Sequence, residues 1–350
     1  MGFASLKEQM KKGSGWHLMK TRVLVDSALS DSGRQYLLDR YYELVVAPED
    51  MDGQTNMAQS CDAMLLHQGT WSRERLQQAG TRLKVICVPG FDNDPVDLSA
   101  ASALGIWVVD SDAAGVESRA EYEIALLLSC CKQIVRMDYL VHSQNAVAYS
   151  PAGNTELRGK KIGFIGWDET AALVAHKCRL AFEMESCCLP QNQLQMLPAT
   201  VGRCSSMERL LAESDFVCIH AALRPGMLDH ACFCRMKPTA YLICIANELA
   251  LNCSDLCDAL WQEMLAGAAV GQGVWQQPSG EQLWQQPGVV PILPLSYYTY
   301  EALNRMDLFA AQAVDTILCG HPIPELRTHP ETPRIRLYRE DYQGKSLRPR

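Results

Sequence analysis

The sequence has no apolar run approaching the roughly 20 residues a membrane-spanning helix requires, no C-x-x-C pair, no internal repeat and no low-complexity segment. Positive charge is not in excess either: 32 Lys and Arg stand against 40 Asp and Glu, a formal net charge of −8. These absences exclude function classes in turn. Residues 1–20 (MGFASLKEQMKKGSGWHLMK) lack the uninterrupted apolar stretch of a signal peptide, so a cytoplasmic protein without a membrane partner is expected. A dedicated nucleic-acid binder would need clustered Lys and Arg to neutralise phosphates, so no nucleic-acid partner is expected. Fifteen cysteines would suggest disulfides in a small secreted domain, but a chain this long builds its own core and its cysteines read as buried thiols. Cys130-Cys131, Cys187-Cys188 and the group His230, Cys232 and Cys234 lack the spacing of a zinc knuckle, so core filling is the expected role and no metal site is assigned.

What is present is a chain of 350 residues, 48% hydrophobic and 21% charged, long enough for two cores. Short β-branched runs alternate with helix-length amphipathic stretches, the pattern of parallel α/β architecture. Strands are predicted at Thr21–Asp26, Glu43–Ala47, Ala63–His67, Leu83–Val88 and Gly105–Asp110. A second series is predicted at Lys161–Gly166, Met184–Cys188, Asp215–His220, Ala240–Ala246, Gly267–Gly271 and Val289–Leu293. Between them, Ser118 to about Gln144 reads as one long helix, apolar nearly all round and so buried between domains or subunits. Ser205-Ser206-Met207-Glu208 fits a capping box, and Tyr300–Leu318 reads as a returning helix. The expected fold is therefore two doubly wound parallel-sheet domains. One is a flavodoxin-like substrate-type domain (21–117 plus 300–326), the other a Rossmann-type cofactor domain (118–299). Residues 1–20 form an extension, and 327–350 a basic tail in which Arg334, Arg336, Arg339, Lys345, Arg348 and Arg350 outnumber Glu331, Glu340 and Asp341.

A strand that ends in glycine and runs into a helix is where a dinucleotide's pyrophosphate is cradled, and Leu157–Gly166 (LRGKKIGFIG) has this form. It resembles the start of the cofactor domain in the D-isomer-specific 2-hydroxyacid dehydrogenases, the family that includes phosphoglycerate dehydrogenase, glycerate dehydrogenase and the C-terminal binding protein co-repressors. Leu83–Val109 is similar to that family's GxDNxD loop and following strand, here with Gly90, Phe91, Asp92 and Asn93. Ser214–Pro225, Met236–Glu248 and Leu265–Val270 follow in the family's order. The resemblance covers about residues 21 to 326.

The functional positions depart from the pattern. Of the family's three glycines only Gly166 remains; the second position is Asp168, whose carboxylate would face a pyrophosphate, and the third is Ala171. The acidic residue for the ribose hydroxyls falls on or beside Pro190, and no Arg nearby suggests a 2′-phosphate. The family's substrate-clamping arginine falls on Asn247 and its catalytic histidine on Leu295, and residues 238–304 contain no Arg, Lys or His to replace them. The glutamate that raises the histidine's pKa should follow Ala269, but the stretch around Gln272 is free of acids, with Trp275, Gln276 and Gln277 in its place. His220, Lys237, Glu248, Tyr297 and Tyr298 are substitutes by type, yet Asn247 or a Tyr cannot give the bidentate grip a carboxylate substrate needs.

No catalytic residue is therefore assigned. The expected function is a pseudoenzyme acting as a homodimer that binds a small-molecule ligand or a protein partner. No cofactor is expected from the residues themselves. The alternative, which the resemblance implies, is an NAD(P)-dependent oxidoreductase acting on a 2-hydroxy or 2-oxo acid with non-standard residues.

Overall fold

The computed structural model describes residues 20–67, 69–88, 96–143, 154–192, 194–221, 223–245, 248–286, 288–293 and 298–320. The elements of the first half are β1 (Arg22–Val25), α1 (Asp31–Leu38), β2 (Glu43–Val46), α2 (Met51–Ala58), β3 (Ala63–Leu65), α3 (Arg73–Gln78), β4 (Val85–Val88), α4 (Leu98–Ala103), β5 (Trp107–Asp110), α5 (Val116–Cys131) and α6 (Ile134–His142). Then come β6 (Lys161–Ile165), α7 (Glu169–Phe182), β7 (Glu185–Leu189), β8 (Val201–Arg203), α8 (Met207–Glu213), β9 (Phe216–Ile219), α9 (His230–Phe233), β10 (Tyr241–Cys244), α10 (Cys253–Trp261), β11 (Gly267–Gly271), α11 (Gln272–Trp275), α12 (Gly280–Trp284), β12 (Val289–Ile292) and α13 (Tyr300–Leu318).

Two compact units result, one running to Ser111 and resuming within α13 at Asp307, the other spanning Asp112–Met306. The sequence pattern instead put these transitions at 117 and 300. Asp307 belongs with the first unit because its carboxylate accepts the Ser30 amide at 2.7 Å and meets His67 Nε2 at 2.7 Å.

The first unit holds a parallel sheet in the order β2-β1-β3-β4-β5, the flavodoxin-like order. Successive side chains of a strand point to opposite faces, and here both faces are covered. Val23 and Val25 join Ala63, Leu65, Val85 and Cys87 under Ala310 and Val314 of α13, whereas Leu24, Met64 and Ile86 pack with Trp71, Leu76 and Ala100 on the other side. That two-sided burial explains why the strands read as continuous apolar runs.

The second unit holds a parallel sheet ordered β8-β7-β6-β9-β10-β11-β12, the Rossmann order extended by a strand, with its switch point between β6 and β9. Edge strand β8 escapes the sequence pattern, being three residues long with Gly202 in its middle. The predicted long helix is two helices. Gln133 turns left-handed (φ 52°) between them, with its side-chain carbonyl accepting from Arg136 at 3.1 Å. Burial holds for α5 and fails for α6, none of whose nine residues is buried. Helix α8 is capped by Ser206, which accepts the Arg209 amide, so Glu208 is the second helical residue, one short of the third that a capping box needs.

All fifteen cysteines are free thiols, and twelve are buried in the cores. His230 opens α9, Cys232 is half-buried with its thiol on the Met227 carbonyl, and Cys234 is exposed beside Met264. Among the described residues no group of three His, Cys, Asp or Glu is arranged to hold a metal ion, and no helix is long and apolar enough to cross a membrane.

Candidate functional site

In a doubly wound sheet, ligands bind beyond the carboxyl ends of the strands at the switch point, here the ends of β6 and β9. Strand β6 turns into α7 through Gly166, Trp167 and Asp168. Gly166 has φ +89°, and a Cβ on it would lie 2.6 Å from the Ala221 amide nitrogen. Glycine is required there by backbone packing whether or not a dinucleotide binds. Trp167 is buried edge-on against Phe164, and its carbonyl accepts the Gln195 side-chain amide at 2.8 Å.

Asp168 is the N-cap of α7: its Oδ1 accepts the Ala171 amide at 2.7 Å. The same Oδ1 lies 3.1 Å from His220 Nδ1, and His220 Nε2 lies 3.1 Å from Glu123 Oε1 on α5. The Glu123 and His220 side chains are 2% and 8% exposed, so this is a buried carboxylate–imidazolium–carboxylate chain. Burial alone would lower the His220 pKa; the charges of Glu123 and Asp168, with the hydrogen bonds to both, outweigh it and raise the pKa to about 10. Behind Glu123, burial pushes the Cys178 thiol up to about 12 and the Cys218 thiol well above its ordinary value, so both stay protonated.

The other predicted positions are dispersed. Ala171 is fully buried in the core beneath α7. Pro190 follows β7 half-buried, and its neighbour Gln191 donates to the His220 carbonyl at 3.4 Å. Gln272 opens α11, and Trp275 donates to the Val270 carbonyl. Gln277 is fully engaged with backbone: its amide donates to the Leu251 and Gly273 carbonyls, and its side-chain carbonyl accepts from Cys253. Lys237 pairs with Asp215 at 2.9 Å. Gly90, Phe91, Asp92, Asn93, Asn247, Leu295, Tyr297 and the Glu248 side chain lie outside what is described.

Sequence reasoning missed Glu123, the acid that anchors the chain of charges. It also missed a second constellation in the first unit, where His67 Nδ1 meets Asp26 at 2.9 Å and Nε2 meets Asp307 at 2.7 Å. Burial would lower the His67 pKa, but the two carboxylates raise it to about 9.

These residues do not fit a dinucleotide held in the usual way. Of the amides that open α7, that of Ala171 already donates to the Asp168 carboxylate, and Pro190 offers no acid for the ribose.

Against this geometry, the comparisons are specific. Residues 124–292 match the family described as D-isomer specific 2-hydroxyacid dehydrogenase, NAD binding domain. The D-3-phosphoglycerate dehydrogenase of Mycobacterium bovis is 26% identical over 307 residues, covering 87% of this chain and 58% of that protein. The chain thus spans little more than half of that relative's length. A putative 2-hydroxyacid dehydrogenase of Staphylococcus epidermidis is 26% identical, covering 85% of this chain and 96% of its own. The apo D-mandelate dehydrogenase of Rhodotorula graminis shares the fold, with a TM-score of 0.76 at 18% identity over 87% of this chain and 97% of its own. The family model thus matches the second unit, and along most of its length the chain is similar to proteins named as 2-hydroxyacid dehydrogenases.

Two outcomes follow. Gly166→Ala should lose about 2–4 kcal/mol, from overpacking (~1–3) plus a left-handed alanine (~1), read as a lowered urea midpoint. His220 has a folded pKa raised from 6.5 to about 10, so its contribution to stability is complete below pH 6.5 and is lost as pH rises toward 10. Melting temperature should therefore fall across that window. Asp168→Asn keeps a cap but withdraws one charge, and should narrow the window toward pH 6.5; an unchanged window would show that Asp168 does not hold the proton on His220.

Proposed function

We propose that this chain is a degenerate member of the D-isomer-specific 2-hydroxyacid dehydrogenase family: the scaffold is kept, the hydride chemistry is lost, and what remains is binding, as a homodimer that engages a small ligand or a protein partner. The observation that carries this reading is the vacancy of all three catalytic roles. The clamp and proton-transfer positions fall on Asn247 and Leu295, in a stretch (238–304) without Arg, Lys or His. The glutamate should follow Ala269, in a stretch around Gln272 that is free of acids. At these positions a carboxylate substrate would find no guanidinium and its hydroxyl no imidazole. The alternative oxidoreductase reading would rest on the retained Gly166 turn, which close packing against Ala221 already requires.

Dimerisation is supported by α6. Ile134, Val135, Tyr139 and Val141 are 38–67% exposed on one nine-residue helix, more apolar surface than a helix in water keeps uncovered.

With NADH or NADPH and a panel of 2-oxo acids, cofactor oxidation should not exceed the protein-free rate; saturable, substrate-dependent oxidation would contradict the reading. Light scattering should give twice the chain mass of 38.9 kDa, and Val135→Asp with Val141→Asp should return it to 38.9 kDa.

A further inference from the structure

We propose that Asp168 is a built-in anion that occupies the phosphate cradle of this domain, and that His220 and Glu123 are the positioning residues that hold it in place. The inference deepens the reading above by assigning what fills the site, and its test is independent of turnover.

Three observations carry it. First, the start of α7 is the positive end of a 14-residue helix, and the amide of its third residue, Ala171, is satisfied by Asp168 at 2.7 Å. A phosphate oxygen seeking that amide would have to displace a carboxylate already bound to it. Second, capping alone needs no further partner, yet this carboxylate has one: His220 grips the same oxygen at 3.1 Å. The imidazole cannot swing away, because Glu123 holds its far nitrogen at 3.1 Å, its ring lies against Phe164 and its backbone amide donates to the Ile165 carbonyl at 2.8 Å. A Glu side chain 2% exposed on α5 is costly unless its charge is met, and His220 meets it.

Third, Asp168 adds one negative charge where a diphosphate would approach. With it, two carboxylates face the His220 ring. Without it, Glu123 and His220 form a single ion pair, and the amide end of α7 is left without its capping carboxylate. That amide end is an anion site of the kind helix N-termini form. The ligand class of the latent site is accordingly a phosphate or diphosphate group.

The test uses the full chain and inorganic pyrophosphate, read as a melting-temperature titration. The unaltered chain should show no saturable shift. Asp168→Gly should bind pyrophosphate at least about ten-fold more tightly, since the like charge opposed at close range is removed, and binding should weaken as salt is raised. Should the glycine variant melt without cooperativity, Asp168→Ser offers a neutral cap and the same readout. A folded variant that binds pyrophosphate no better than the unaltered chain would overturn the proposal, as would micromolar binding by the unaltered chain.

Discussion

One imidazole ring, hydrogen-bonded on both sides to carboxylates, closes the carboxyl edge of the second sheet. Glu123 reaches it from α5 and Asp168 from the turn after β6, so the ring joins a buried helix, the central strand and the amino terminus of α7. The two carboxylates together hold the ring protonated against the effect of burial. Removing His220 would leave two carboxylates without their shared partner, whereas removing either carboxylate leaves a single ion pair.

Its consequence is a separation of fold from chemistry. The strand order, the glycine turn and the packing of α7 on the sheet are those of a dinucleotide-binding domain, and each is explained by burial alone. Gly166 is kept because Ala221 leaves no room for a Cβ, and Ala171 because its methyl fills core. At the start of α7, the Ala171 amide and the His220 ring are engaged by Asp168.

The scaffold was legible because parallel strands buried on both faces announce themselves as apolar runs; β11 and α13 fall on the residues the pattern marks. The departure at Asp168 was legible too, since position within a glycine motif is local information. Its partners were not. Glu123 is 97 residues from His220, and in EYEIALLL an acid reads as the solvent side of a helix. Likewise Asp307 lies 240 residues from His67. The break between α5 and α6 had no glycine or proline to mark it, only Gln133 in a left-handed turn.

The most direct measurement is a 15N NMR titration of the His220 ring nitrogens in selectively labelled protein, assigned by comparison with a His220→Gln sample. Both nitrogens should carry protons at pH 7–8, with titration only on approach to about pH 10. A His220 ring that loses its proton near pH 6.5 would mean that Asp168 and Glu123 do not clamp it, and the account of a self-filled phosphate site would fail.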